Sequence, residues 1–181
     1  MSAPLAHLPN ALSVLRLLLV PVFVVLMLQA DDGYSWPAGI LFALAAVTDQ
    51  IDGWLARRWH VESDFGKVVD PLADRLMIDA AIILLWAAGR LPFVALALIL
   101  IRDGVLLGGY RFFQGKGIDL NVSLLGKIAT WILYASLCLT IVTPGGTDWP
   151  LWLFWVGLIL ALVAGAQYVV STLNAVRGRP A

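Results

Sequence analysis

Four aspartates stand close together in this sequence, and their type and spacing are suited to metal chemistry. Asp49 and Asp52 are three residues apart, and Asp70 and Asp74 are four residues apart. The apolar stretches around them are long enough to cross a bilayer. An aspartate at the centre of a membrane helix costs roughly 2.5 to 3.5 kcal/mol, so that four of them require cations. Clustered carboxylate oxygens suit hard divalent ions, and the segment therefore predicts a metal site at a membrane.

The spacing also predicts how two helices present these groups. Residues three or four apart share one helix face, so each pair of aspartates projects together, on two antiparallel helices at the same depth. Asp70 precedes Pro71, which is typical of an N-cap followed by proline at the first helical position. Such pairs suit one or two Mg²⁺ or Mn²⁺ ions held against phosphate oxygens. The alternative interpretation is a set of helix caps and ion pairs with Arg57 or Arg75.

The composition indicates a polytopic membrane protein. Of the 181 residues, 61% are hydrophobic and 13% are charged, whereas soluble domains have about 25% charged residues. The net charge is zero, which gives no argument for a nucleic-acid partner. Six apolar windows can each cross a hydrocarbon core of about 30 Å. They predict an all-α chain and a single membrane domain over residues 1–181, with spans at about 11–30, 36–56, 71–88, 91–110, 120–143 and 149–174.

The distribution of lysine and arginine predicts the orientation, because cytoplasmic loops carry an excess of them. One side of the predicted membrane domain holds only Arg90 among cations, together with Asp31, Asp32 and Asp148. The other side carries Arg57, Arg58, Lys67, Arg111, Lys116, Arg177 and Arg179. We therefore expect both termini in the cytoplasm of a cell with a bacterial-type cytoplasmic membrane. An even number of spans agrees with this orientation.

Charged residues inside the windows all fall in the predicted cytoplasmic halves. They are Arg16, Asp49, Asp52, Asp74, Arg75, Asp79, Arg102, Asp103 and Lys127, and Asp70 directly precedes the third window. This pattern predicts a polar cavity that is open to the cytoplasm and closed by apolar helix ends. The main rival is a cation transporter or channel that uses the same carboxylates. Because an ion path needs polar groups along its whole length, the apolar outer halves favour an enzyme.

Residues 49 to 74 resemble the signature of the CDP-alcohol phosphatidyltransferases, Asp-x2-Asp-Gly-x2-Ala-Arg-x8-Gly-x3-Asp-x3-Asp. All eight defined residues are present over 26 positions. The stretch from Leu8 to Arg16 is similar to the Pro-Asn-x-Leu-Thr/Ser-x-x-Arg segment of the same family. The six-span layout fits as well, so the resemblance covers most of the chain.

The resemblance implies that an alcohol hydroxyl displaces CMP from CDP-diacylglycerol. It implies that Asp49, Asp52 and Asp70 bind one or two Mg²⁺ or Mn²⁺ ions. Asp74 would complete the shell of the second metal and act as the base on the acceptor hydroxyl. The residues implied to bind the cytidine diphosphate are Asp49, Asp52, Gly53, Ala56, Arg57, Gly66 and Asp70. The resemblance also implies a homodimer surrounded by membrane lipids.

A second set of cations, Arg102, Arg111 and Lys127, lies on the predicted cytoplasmic side. Lysine and arginine are the usual ligands of phosphate, and we expect this set to bind the phosphate of the acceptor. The alternatives are snorkelling toward lipid headgroups and, for Arg102, an ion pair with Asp103.

Two further resemblances concern the acceptor alcohol. Residues 122–130, Val-Ser-Leu-Leu-Gly-Lys-Ile-Ala-Thr, resemble a stretch of the bacterial phosphatidylglycerophosphate synthases, which implies glycerol 3-phosphate. The Arg102-Asp103 pair and Gly108-Gly109 resemble the cardiolipin synthases, whose acceptor is phosphatidylglycerol. Glycerol 3-phosphate is the expected acceptor, phosphatidylglycerol is the main alternative, and inositol phosphate or another alcohol is the remaining one.

Overall fold

The chain is helical wherever its backbone is described. A computed structural model describes the backbone of residues 8–59, 66–114 and 124–177, and the side chains of residues 14–48, 75–105 and 124–171. These parts contain six α-helices, one short 3₁₀ turn at Asp31–Gly33, and no strand. The predicted all-α class is confirmed. The helices are α1 Leu8–Leu28, α2 Trp36–Trp59, α3 Gly66–Ala87, α4 Phe93–Gln114, α5 Leu124–Val142 and α6 Trp149–Arg177.

Each helix covers one apolar window, but α3 starts earlier than the sequence predicted. It begins at Gly66, and Asp70 and Pro71 therefore lie inside the helix, so the prediction of an N-cap at Asp70 is wrong. A proline is best tolerated at the first helical position, where its missing N–H has no partner to lose. In α3 the proline falls in the second turn, where it forfeits one backbone hydrogen bond.

The chain divides into two compact units. The first comprises Met1–Arg90 and Leu137–Thr147, and the second comprises Leu91–Ser136 and Asp148–Ala181. In the first unit, α1 packs against both α3 and α2. Its described core consists of Phe23, Met27, Ala38, Phe42, Ala45, Met77, Ala81, Ile82, Leu85, Leu137 and Ile141. The rings of Phe23 and Phe42 lie 5.6 Å apart at 39°, and this aromatic pair joins α1 to α2.

The second unit contains α4, α6 and the part of α5 up to Ser136. Here α6 packs against α4, and α5 approaches α6 closely at Gly157. A methyl group added to Gly157 would lie 3.0 Å from Ile132 Cγ2 and 3.1 Å from the backbone nitrogen of Leu133. Small residues at such crossings let helix backbones approach each other without a hydrophobic driving force, as membrane helices require.

Arg90 connects three segments of the first unit. Its Nη2 donates to the backbone oxygens of Thr143 at 3.0 Å, Thr140 at 3.1 Å and Pro144 at 3.4 Å, and its Nη1 donates to Asp32 at 3.3 Å. The last carbonyls of a helix lack intrahelical donors and attract cations, so Arg90 caps the end of α5. Burial lowers the pKa of the Arg90 guanidinium, and the charge of Asp32 opposes this shift.

Hydroxyl groups along α5 bond to the backbone of that same helix. Thr130 donates to Gly126 at 2.9 Å, Ser136 donates to Leu133 at 2.8 Å, and Thr143, just past the helix end, donates to Leu139 at 2.7 Å. These bonds satisfy polar groups that would otherwise be costly in an apolar environment.

Among the residues whose side chains are described, two helical stretches are long and apolar enough to cross a membrane. They are α5, over Leu124–Val142, and the Trp149–Ser171 part of α6. Shorter apolar helical stretches occur at Val14–Leu28 and Trp36–Thr48. Large apolar side chains are exposed on most of these helices, among them Leu18, Leu28, Ile40, Leu44, Ile101, Leu124 and Ile159.

Candidate metal and nucleotide site

The four signature aspartates fall on the two helices that the sequence predicted for them. Asp49 and Asp52 lie in the C-terminal half of α2, and Asp70 and Asp74 lie in the N-terminal half of α3. The side chains of these residues are outside the described part of the chain. Their convergence therefore stays a prediction that follows from the helical spacing.

The residues expected to bind the nucleotide occupy the ends of the same two helices. Gly53, Ala56 and Arg57 lie in the last turns of α2, and Gly66 is the first residue of α3. The connection between these helices, residues 60–65, is outside the described residues, and so are the side chains of Ala56 and Arg57. Their contact with a nucleotide also stays a prediction.

The helices that carry the aspartates are held together by α1. Phe42 is fully buried on α2 and contacts Phe23 of α1, two turns before Asp49. Thr48, immediately before Asp49, donates its hydroxyl to Leu44 O at 2.8 Å, so this hydroxyl is satisfied within α2. On α3, Met77, Ala81, Ile82 and Leu85 are buried. The apolar packing of α1, α2 and α3 thus fixes the two aspartate-bearing helices in one unit.

Two charged side chains of this unit lie within that packing, and the sequence analysis assigned no chemical role to either of them. Arg16 of α1 is only 3% exposed. Asp79 of α3 is half-buried, and its Oδ1 atom is inaccessible to solvent. A buried guanidinium is stable only where its hydrogen-bond donors and its charge are compensated. In the sequence, Arg16 was visible as the charged residue of the first apolar window and as the last residue of an N-terminal family segment.

The chemistry of the four aspartates fits a hard divalent cation. Mg²⁺ and Mn²⁺ prefer carboxylate oxygens, and Mg²⁺ commonly combines one or two carboxylates with substrate phosphates. In the part of the chain whose side chains are described, no group of three or more histidine, cysteine, aspartate or glutamate residues lies close enough to bind a metal ion. The signature segment is outside that part.

Arg102 forms an ion pair with Asp103, which was one of the alternatives that the sequence left open for Arg102. Arg102 Nη1 lies 2.8 Å from Asp103 Oδ1, and the two side chains are 16% and 8% exposed. The Nε atom of Arg102 is buried and has no hydrogen-bond partner among the described residues. A phosphate bound here would therefore share the guanidinium with Asp103.

The Arg102 side chain also lines a small groove in the second unit. The groove has a volume of about 150 Å³, and its other lining residues are Val105, Leu162, Gly165, Ala166 and Val169. A methyl group added to Gly165 would lie 3.8 Å from Arg102 Cγ, so the aliphatic part of Arg102 lies over this glycine. The surroundings of Arg102 are thus largely apolar.

The other two members of the cationic set are on different helices. Lys127 is exposed in the first turn of α5, and Arg111 lies near the end of α4 with its side chain outside the described residues. Arg102, Arg111 and Lys127 belong to the same compact unit. Their joint binding of one phosphate stays a prediction.

Comparisons with known proteins point to one family. Residues 6–163 match the model of the family described as CDP-alcohol phosphatidyltransferase. Proteins named CDP-diacylglycerol--glycerol-3-phosphate 3-phosphatidyltransferase are similar to this chain. The Bacillus subtilis (strain 168) protein is 30% identical over 94% of this chain and 97% of its own length. The Rickettsia felis protein is 29% identical over 90% and 93%, and the Cereibacter sphaeroides protein is 40% identical over 71% and 59%.

Proposed function

Because this chain belongs to the CDP-alcohol phosphatidyltransferase family and is a transferase, we propose that it makes phosphatidylglycerophosphate. The phosphatidyl group comes from CDP-diacylglycerol, the acceptor is glycerol 3-phosphate, and CMP is released. The observation that carries this proposal is the complete signature at residues 49–74. It lies within a match, over nearly the whole chain, to proteins named for this reaction.

The proposed setting is a bilayer that all six helices span, with both termini and a polar cavity on the cytoplasmic side. The exposed leucine and isoleucine side chains of the described helices support a lipid-facing surface, because soluble proteins rarely expose so many. Arg90 had stood out as the lone cation of the opposite side. Its four backbone acceptors give it a structural reason to be there, which is compatible with the positive-inside orientation.

In the proposed reaction, Asp49, Asp52, Asp70 and Asp74 hold one or two divalent ions. The family generally depends on divalent metals. When bound, Mg²⁺ or Mn²⁺ supplies positive charge that neutralises the diphosphate and stabilises the departing CMP. Asp74 removes the proton of the acceptor hydroxyl. The hydroxyl oxygen then bonds to the phosphorus of the phosphatidyl group, and the bond from that phosphorus to the CMP oxygen breaks.

Substrate binding is assigned to two further sets of residues. Gly53, Ala56 and Gly66 leave room for the nucleotide near the backbone, and Arg57 pairs with a phosphate in bidentate fashion. Lys127 is the best-supported member of the acceptor set, because its side chain is exposed on α5. Arg102 and Arg111 complete the proposed set. A homodimer is part of the same proposal by family resemblance.

The test is a product assay on the purified protein in detergent with lipid. CDP-diacylglycerol is incubated with glycerol 3-phosphate, phosphatidylglycerol or inositol phosphate, and both CMP and the lipid product are measured by mass spectrometry. We expect phosphatidylglycerophosphate only. Formation of cardiolipin from phosphatidylglycerol would show that phosphatidylglycerol is the acceptor instead. Metal-dependent ion flux into proteoliposomes, with no CMP released, would show that the protein is a transporter and not this enzyme.

The role of Asp74 has its own variant. Asp74→Asn is expected to abolish CMP release while the protein stays folded and binds Mn²⁺, because an amide does not accept the hydroxyl proton. Asp31→Asn is the matched control, since Asp31 is exposed and outside the signature. Near-normal turnover of Asp74→Asn would refute the assignment of this residue as the base.

A further inference from the structure

The groove between α4 and α6 of the second unit combines an apolar wall with one cation. Its volume is about 150 Å³, and among its described lining residues Arg102 alone is charged. Gly165 and Ala166 leave the space on the α6 side, because neither carries a side chain larger than a methyl group. Val105 and Ala166 are exposed, so the groove opens toward the surroundings of the protein.

The Arg102 guanidinium has hydrogen-bond donors left over. Its Nη1 donates to Asp103 Oδ1 at 2.8 Å, and its Nε is buried without a partner among the described residues. A guanidinium carries five N–H donors in one plane, and Asp103 leaves unoccupied the edge that Nε and Nη2 form. We call this the open edge of Arg102. An unpaired buried donor is unfavourable, and an oxygen acceptor supplied from outside the chain would offset that cost.

The groove lies in the cytoplasmic half of the bilayer proposed above. Gly165 is sixteen residues after Trp149, where α6 begins, which is about 24 Å along the helix. With Trp149 at the outer boundary, this distance covers most of a hydrocarbon core of about 30 Å. Arg102 is level with Gly165, because a methyl group on Gly165 would lie 3.8 Å from Arg102 Cγ. Cytoplasmic leaflets carry anionic lipids.

The chemistry of the groove fits a phospholipid better than a soluble anion. A soluble phosphate makes no favourable contact with Val105, Leu162 and Val169, whereas an acyl chain packs against them. A phosphate group matches the planar edge of a guanidinium in bidentate fashion. A phospholipid carries both groups in one molecule.

We propose that this groove binds one anionic phospholipid of the cytoplasmic leaflet. An acyl chain lies between α4 and α6, and phosphate oxygens accept from the open edge of Arg102. Because one edge binds one phosphate, the lipid and glycerol 3-phosphate exclude each other at Arg102, and the bound lipid regulates use of the acceptor. This competition rests on the acceptor set proposed above, whereas binding of the lipid does not.

The test compares three probes by the melting temperature of the purified protein in detergent with EDTA, which keeps divalent ions away from the aspartates. Dioleoyl phosphatidic acid carries chains and phosphate, dioleoylglycerol carries the same chains without phosphate, and glycerol 3-phosphate carries phosphate without chains. We expect saturating phosphatidic acid to raise the melting temperature by about 5 °C or more. Each of the other two probes should raise it by less than half as much.

Two variants separate the groove from the cation. Ala166→Leu fills the groove and is expected to abolish the shift caused by phosphatidic acid. Ala135→Leu is the matched control and should keep the shift, since Ala135 is exposed on α5 in the same unit and does not line the groove. The double variant Arg102→Leu with Asp103→Leu removes both charges together. It should respond to phosphatidic acid no more than to dioleoylglycerol.

Three results would overturn the lipid site. They are no shift with phosphatidic acid, a shift that persists in Ala166→Leu, and an equal shift with dioleoylglycerol, which would remove the role of the phosphate. An equal shift with glycerol 3-phosphate would assign the open edge to the soluble acceptor instead.

The competition has a separate readout in the reaction with divalent metal present. Phosphatidic acid should raise the KM for glycerol 3-phosphate in the wild-type protein and leave it unchanged in Ala166→Leu. A wild-type KM that phosphatidic acid does not raise would overturn the competition. A protein that releases no CMP with glycerol 3-phosphate would contradict the proposed reaction and leave the lipid-binding result standing.

Discussion

Replacing Arg90 by methionine is expected to destabilise the first unit where α3, α5 and the Asp31–Gly33 turn meet. Methionine keeps much of the aliphatic length and removes every donor. The backbone oxygens of Thr140, Thr143 and Pro144 then lose the cation that binds them at 3.0 to 3.4 Å. Water replaces it only for the oxygens that lie at the surface.

The size of the effect follows from these contacts. The bonds to Thr143 and Thr140, at 3.0 and 3.1 Å, have ordinary hydrogen-bond lengths, and those to Asp32 and Pro144 are longer. A hydrogen bond to a charged group contributes about 1.5 to 3 kcal/mol, and a cation at a helix C-terminus adds about 0.3 to 1 kcal/mol. Since one nitrogen serves three acceptors and Arg90 is partly exposed, we expect a loss of about 2 to 3 kcal/mol.

The single cysteine provides the assay. Cys138 is the only cysteine of the chain, belongs to the same unit as Arg90, and has its Sγ 3.6 Å from Gly39 O. Its labelling by a maleimide in detergent reports opening of α5 from α2. A loss of about 2 to 3 kcal/mol makes opening about 30- to 150-fold more frequent, and labelling of this half-buried thiol rises by up to that factor.

Two controls accompany this measurement. Gly145→Ala alters the same turn at a position with nothing within 4 Å of the added methyl, and it is expected to leave the labelling rate unchanged. Arg90→Lys retains one cationic group and should lie between wild type and Arg90→Met. A labelling rate of Arg90→Met within twofold of wild type would refute the capping role. CMP release per folded molecule should be unaffected, because Arg90 lies past the end of α3 opposite to its aspartates.

Three further outcomes are expected. Gly157→Ala should lower the free energy of unfolding by about 1 to 3 kcal/mol, because its methyl group would lie 3.0 to 3.1 Å from atoms of α5 and overpack that contact. Gly104→Ala is the control: its methyl group would lie in open space on α4, and it should raise the melting temperature slightly. Lys127→Ala should raise the KM for glycerol 3-phosphate about tenfold with little change in kcat, because one contact with the acceptor phosphate is lost. Unchanged acceptor kinetics would remove Lys127 from the proposed set. Asp103→Leu should lower stability by about 3 kcal/mol, as when one partner of a buried pair is removed, and the double variant with Arg102→Leu should recover part of that loss in thermal unfolding.

The helices could be predicted from the sequence because each depends on a long apolar run. The start of α3 could not. Proline at position 71 is a strong local signal for a helix beginning, and the backbone of α3 nevertheless starts at Gly66. Local preferences of about 3 kcal/mol for one proline are smaller than what packing along a 22-residue helix contributes.

Side-chain contacts could be predicted only where the two residues are close in the sequence. The pairing of Arg102 with Asp103 was foreseeable because the two residues are adjacent. The acceptors of Arg90 were not, since they are backbone oxygens 50 to 58 residues away, and carbonyl groups have no signature in a sequence. The burial of Arg16 also depends on three helices meeting. The signature aspartates are the reverse case: their types and spacing predict a site, whose side-chain geometry stays a prediction.

The internally bonded hydroxyls of α5 have a consequence for biogenesis. Thr130, Ser136 and Thr143 each donate to a carbonyl of their own segment, and these bonds accompany the segment from the translocon into lipid. In the proposed bilayer setting these three hydroxyls therefore need no partner on another helix, whereas the last carbonyls of α5 are bound by Arg90. The aspartates of α2 and α3 have no such self-sufficient solution, since a carboxylate needs a cation from elsewhere. For the proposed membrane setting and metal site, this contrast predicts an order of assembly in which α5 is stable in the bilayer early and the metal site is completed late.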